Sequence, residues 1–160
     1  MPSDERESRT AARAEAVRRN LLAAFPSRPP RGGRGISWVV GKEMDELPSL
    51  LADDETIEIA SVGTLEGRGV LIVATDRRLV VFDRGWARRT FYDYAYDDVD
   101  KVEWRKGLRS GEIVVVPRSG LGLRVKNVAG NHVKPLGQWL VRRVKDARAD
   151  SRDRSESRKR

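Results

Sequence analysis

Gly69-Val70-Leu71-Ile72-Val73-Ala74-Thr75-Asp76-Arg77-Arg78-Leu79-Val80-Val81-Phe82 decides how this chain folds. Two apolar runs rich in β-branched residues flank the polar Asp76-Arg77-Arg78, and each is long enough for one strand. The interruption is short enough for a hairpin, and the unbroken hydrophobicity of the runs puts them at the centre of a β structure. Upstream the period becomes two: from Thr56, Ile57 and Ile59 face one way and Glu58 the other, with Gly63 to Gly67 supplying a turn. Downstream, four more strands are predicted over 88–94, 101–106, 112–116 and 121–128. Gly85, Asp97-Asp98, Gly107 to Gly111 and Ser119-Gly120 separate them. Short strands at roughly 8–12-residue spacing argue for a sandwich or barrel.

Helices flank this β region. Val133, Leu136, Leu140 and Val144 form an apolar stripe at helical spacing, with Trp139 alongside and Pro135 suited to a first turn. A lone amphipathic helix after the strands must bury its stripe against them. Residues 4–24 mix Ala with Arg and Glu, which predicts a weakly anchored N-terminal helix. Pro26 to Gly35 breaks every periodicity and reads as a linker. The expected organisation is a charged helix and Pro/Gly/Arg linker over 1–35, a mainly β domain over 36–148, and a disordered charged tail over 149–160.

The 160 residues hold one ordinary domain plus extensions, and the net charge of +8 is unevenly spread. Residues 1–35 carry eight Arg against four acids, 142–160 carry nine Lys or Arg against four, and 36–141 carry fifteen against sixteen. The central domain is therefore nearly neutral, whereas a dedicated nucleic-acid domain bears its basic stripe on the fold itself. Absence of cysteine excludes disulfides, thiolate nucleophiles and Cys-bearing zinc sites. No stretch approaches the roughly twenty apolar residues of a membrane span, and the first residues lack a secretory h-region, so the expected location is cytoplasmic or peripheral to a membrane.

Certain residues coincide with a known family. Leu47-Pro48 and Leu51 precede Glu55; Gly69, Leu71, Val73, Thr75, Asp76, Arg78 and Leu79 form a spaced hairpin signature; Tyr96-Asp97-Asp98-Val99 leads into Val102. Over residues 46–145 the chain resembles the bacterial PH-like domains of the YokE type, relatives in shape of pleckstrin-homology and GRAM domains. The resemblance implies a seven-stranded, partly open barrel capped by a C-terminal helix, with binding or scaffolding roles and no catalysis. Residue by residue, Thr75, Asp76 and Arg78 are expected to hydrogen-bond around the tight turn.

Candidate chemistry is sparse, and no cofactor is expected. His132 is the sole histidine, and no Gly-x-Ser-x-Gly elbow exposes a serine nucleophile. Gly35 to Glu43 has five residues between its glycines and Glu43 where a magnesium-binding Ser/Thr belongs, so it is no phosphate loop. Arg31-Gly32-Gly33-Arg34-Gly35 is one RGG-like copy in a linker, and Asp97, Asp98 and Asp100 suit turns better than a calcium loop. Trp86 stands among Arg84, Arg88 and Arg89 at an expected hairpin tip, where an indole and guanidiniums would meet lipid phosphates or a base. With Arg68 and Arg77 these are the candidate anion or membrane contacts. The first hairpin loop, Gly63 to Arg68, offers one Arg and one Glu, poorer in cations than phosphoinositide-binding PH domains. The leading expectation is a non-catalytic module for protein contact or self-association, and the alternative is peripheral binding to anionic lipid or nucleic acid.

Overall fold

A computed structural model describes residues 2–27, 47–83 and 90–159. Helix α1 (Pro2–Ala24) is followed by a helical turn at 47–50. Strands β1 (Ile57–Leu65), β2 (Arg68–Thr75), β3 (Arg78–Asp83) and β4 (Thr90–Ala95) come next, then a 3-10 turn (Tyr96–Asp98). Strands β5 (Val99–Lys106), β6 (Ser110–Pro117) and β7 (Leu123–Ala129) lead directly into helix α2 (Gly130–Ser157). All seven strands form one antiparallel open sheet in the order β4-β3-β2-β1-β7-β6-β5. The expected mainly β fold, with a helix at each end of the chain, is what the residues build.

The sheet curls around one core. Val70, Ile72 and Ala74 of β2 alternate inward and meet Leu79 and Val81 of β3, Ile113 and Val115 of β6, and the α2 stripe of Val133, Leu136, Leu140 and Val144. The intervening residues explain why the β2 and β3 runs are apolar throughout. Leu71, Val73, Val80 and Phe82 point to the opposite face, where a second cluster forms with Leu21, Phe25, Leu47 and Leu51. Helix α1 is therefore better anchored than its composition suggested: Leu21 is fully buried, and Arg13 donates to the Leu51 carbonyl at 2.6 Å and pairs with Asp53 at 2.5 Å.

Other expectations are corrected. The first turn is Glu66-Gly67, both with positive φ (51° and 77°), not the longer Gly63-to-Gly67 stretch, and Gly63 lies inside β1. Its role is close approach: a Cβ there would sit 2.5 Å from Val125 Cγ1 and 2.8 Å from the Lys126 carbonyl, where β1 crosses to β7. Pro135 lies within α2 rather than in its first turn, because Gly130, Asn131 and His132 enter the helix straight from β7. The helix also continues to Ser157, through the segment expected to be disordered. Its alternating signs place Asp150 four residues before Arg154, and Arg152 four before Glu156, spacings that support helix without any apolar contact. The expected linker from 28, the RGG-like copy, the Gly35-to-Glu43 loop, the boundary at 36 and the Arg84-to-Arg89 tip lie outside the described residues.

Candidate binding surface at the mouth of the barrel

Strand register sorts the turns into two ends. At one end the signature residues form a clasp. Arg78 grips Glu55 through Nε at 2.9 Å and Nη2 at 3.0 Å, donates from Nη1 to Asp93 at 2.7 Å, and from Nη2 to the Leu50 carbonyl at 2.5 Å. Thr75 donates its hydroxyl to Glu55 at 2.7 Å, the Ala52 amide donates to the other carboxylate oxygen, and the Arg77 and Arg78 amides donate to the Thr75 hydroxyl. Tyr96 donates to the carbonyls of Thr75 and Arg78 at 2.5 and 2.9 Å. The Glu55 side chain is 1% exposed. Burial alone would raise its pKa, but the hydrogen bonds from Arg78, Thr75 and Ala52 outweigh that and hold it at about 2. Burial raises the Tyr96 pKa, keeping its hydroxyl a donor. Asp76 accepts from the Thr56 amide at 2.9 Å. These residues hold the fold together.

A second polar knot ties the chain's beginning to its end. His132 is fully buried, with Nδ1 3.0 Å from the Ser61 hydroxyl and Nε2 2.9 Å from that of Ser27. Asn131 donates to Ser27 at 2.6 Å, and the Phe25 ring lies 6.1 Å from the imidazole. Burial lowers the His132 pKa. The imidazole is a neutral structural bridge between β1, α2 and the segment after α1.

The opposite end is the open mouth. Thr64 opposite Lys126 brings the β1–β2 turn beside the β6–β7 loop, and Asp83 opposite Thr90 brings the ends of β3 and β4 to the same side. Gly120, with φ 86°, and Gly122 flank Leu121, which is 88% exposed. Tyr94 donates to the Leu121 carbonyl at 3.0 Å, and the Arg118 amide to the Asp98 carbonyl at 2.8 Å, so this tip is held on a braced loop. Beneath it lies a cleft of about 300 Å³ lined by Glu66, Gly67, Tyr92, Leu123, Arg124 and Lys126, among others. Arg118, Arg124 and Lys126 are exposed. Arg68 stands at the same rim, 3.8 Å from Glu66. An exposed leucine on a loop whose flanking Arg118 and Arg124 are also exposed suits a surface with anionic groups over an apolar layer.

The residues expected to bind anions are thus divided. Arg68 is at the mouth. Arg77 is at the clasp end, paired with Asp54 at 2.6 Å, and the length of β2, roughly 25 Å, separates it from Arg68. Arg84, Trp86, Arg88 and Arg89 lie outside the described residues. Arg118, Leu121, Arg124 and Lys126 were missed. The available signal was a leucine between two glycines with arginines on either side, a combination no packing role requires. Asp97 and Asp98 form the 3-10 turn and Asp100 meets Arg148.

The family model described as "Bacterial PH domain" matches residues 51–140. The chain belongs to this family. No curated protein matches it. Among solved structures it is similar to a DUF1696 family protein with a pleckstrin-homology domain from Shewanella loihica PV-4. That similarity has 17% identity and a TM-score of 0.47, covering 62% of this chain and 90% of that one. No enzymatic family is indicated. Among the described residues of this PH domain, no helix is long and apolar enough to cross a membrane.

Proposed function

We propose that this PH domain, grouped with the YokE type on its Gly69-to-Leu79 hairpin, is a non-catalytic module that contacts anionic membrane surfaces peripherally through the mouth of its barrel. The observation that carries this is Leu121, exposed on a braced glycine-flanked tip with the exposed Arg118 and Arg124 on either side of it in the chain and the exposed Lys126 on β7. The leucine enters the acyl boundary while the cations, Arg68 at the same rim among them, meet phosphates. Co-sedimentation with phosphatidylcholine vesicles, with and without phosphatidylserine, tests it. Binding is expected only with the anionic lipid, to weaken with salt, and to fall about tenfold in Leu121→Asp and in the Arg124→Glu/Lys126→Glu double variant. Unchanged binding in both variants refutes it, as does a preference for oligonucleotides over vesicles. A second reading, contact with a protein partner, is favoured by a different observation: β5 is an edge strand among the described residues.

A further inference from the structure

We propose that the outer edge of β5, together with the side of α2 beside it, docks an acidic, extended segment of a partner protein as an added strand. This rests on the protein-partner reading and is independent of the mouth. Among the described residues, strands β4 and β5 end the sheet, so no described strand pairs with the outer row of backbone groups of either. At β4, the Tyr94 hydroxyl ties the strand to the β6–β7 loop. At β5, Arg148 donates to the carbonyls of Val99 and Asp100, closing only the strand's beginning. From Lys101 to Lys106 no strand pairs with the outer edge among the described residues.

The helix supplies the second wall. Gly137 lies so close to Trp104 that a Cβ would sit 2.8 Å from the Trp104 Cβ, and Arg148 reaches the start of β5. This side of α2 therefore runs along β5. Lys134, Val141 and Lys145 follow at spacings of seven and four, which at about 3.6 residues per turn puts them on one side, next to that line of contact. All three are exposed, Val141 to 43%. With Lys101, Arg105 and Lys106 on the strand, cations outnumber Asp100 and Glu103 around the edge.

That charge selects the occupant. A second copy pairing β5 with β5 would turn two identical basic helix sides toward one another, whereas the acidic side chains of an added strand meet Lys101 and Arg105. In an added strand alternate side chains share a face: one set would lie against Val141 and the half-buried Trp104, the other beside Lys101 and Arg105. The fitting partner alternates apolar and acidic residues.

The test uses the full chain and a displayed library of ten-residue peptides with Glu at alternate positions and randomised apolar residues between, beside a matched Lys library. Enrichment is expected only from the Glu library. Fluorescence anisotropy of an enriched peptide should weaken about tenfold in Lys101→Glu/Arg105→Glu, and about tenfold when alternate peptide amides are N-methylated. Amides of 101–106 should gain hydrogen-exchange protection, and Leu121→Asp should bind the peptide normally, which separates this outcome from that of the vesicle experiment. Equal enrichment of both libraries or none, indifference to N-methylation, protection at the mouth instead, or a peptide-free dimer already protected at 101–106 would each overturn the proposal.

Discussion

Replacing Glu55 by Gln probes the clasp most directly, because the pH dependence of the loss can be worked from the structure. In the folded chain the carboxyl titrates at about 2 against an ordinary 4.5. Each unit is worth about 1.4 kcal/mol, so the ionised form contributes about 3–4 kcal/mol. A depressed folded pKa means the unfolded chain binds more protons between those values. The contribution is therefore complete above pH 4.5 and disappears as pH falls toward 2. With the side chain 1% exposed, solvent screens little of it. In Glu55→Gln, Arg78 keeps Asp93 at 2.7 Å, so the expected destabilisation at pH 7 is about 2–3 kcal/mol rather than the larger cost of an abandoned buried charge. Urea unfolding followed by tryptophan fluorescence, run on both proteins from pH 7 to 2.5, isolates the residue because the remaining carboxylates cancel in the difference. The gap between the two should close as the solution is acidified. A gap that stays constant with pH would refute the assignment of the stabilisation to Glu55 ionisation.

His132 should act at milder pH with the same sign. Because burial keeps its imidazole neutral, the unfolded chain takes up a proton first, and stability should decline as pH falls below about 6.5. That decline should vanish in His132→Asn when unfolding midpoints at pH 7.5 and 5.5 are compared. Gly137→Ala inverts a usual preference. Alanine ordinarily favours a helix by about 1 kcal/mol, yet here its methyl would press on Trp104, so thermal unfolding should show net destabilisation. Leu21→Ala should cost about 2–3 kcal/mol in urea unfolding, since the side chain fills the cluster between α1 and β2–β3; a loss below about 0.5 kcal/mol would mean α1 is only loosely held.

Much of the architecture was legible in the chain's local patterns. The two β-branched runs around Asp76-Arg77 became β2 and β3, and the Val133-to-Val144 stripe became the buried face of α2. These succeed because period and turn chemistry depend on neighbours in sequence. The Gly63 misreading shows the limit. A glycine that permits a turn and one that permits two strands to cross look alike until β7 lies alongside. The helical tail beyond 148 failed for a related reason, since alternating charge is common to disorder and to a solvated helix extending from an anchored one.

The binding surface was the least legible part. Arg68 and Arg77, nine positions apart, looked like neighbours in one basic set, but a strand's length separates them. Lys126 and Glu66, sixty positions apart, line one cleft because β1 pairs with β7. By itself the sequence determined which segments are strands and helices, which face of α2 is apolar, and that charge gathers at the chain's ends, all properties of short-range composition and spacing. Only the tertiary structure decided that a second face of β2 and β3 is buried under α1, that His132 bridges Ser27 and Ser61, and that the β1–β2 turn lies beside the start of β7. Each of these depends on contacts between residues far apart in the chain, and their position is set by strand register rather than by any local pattern.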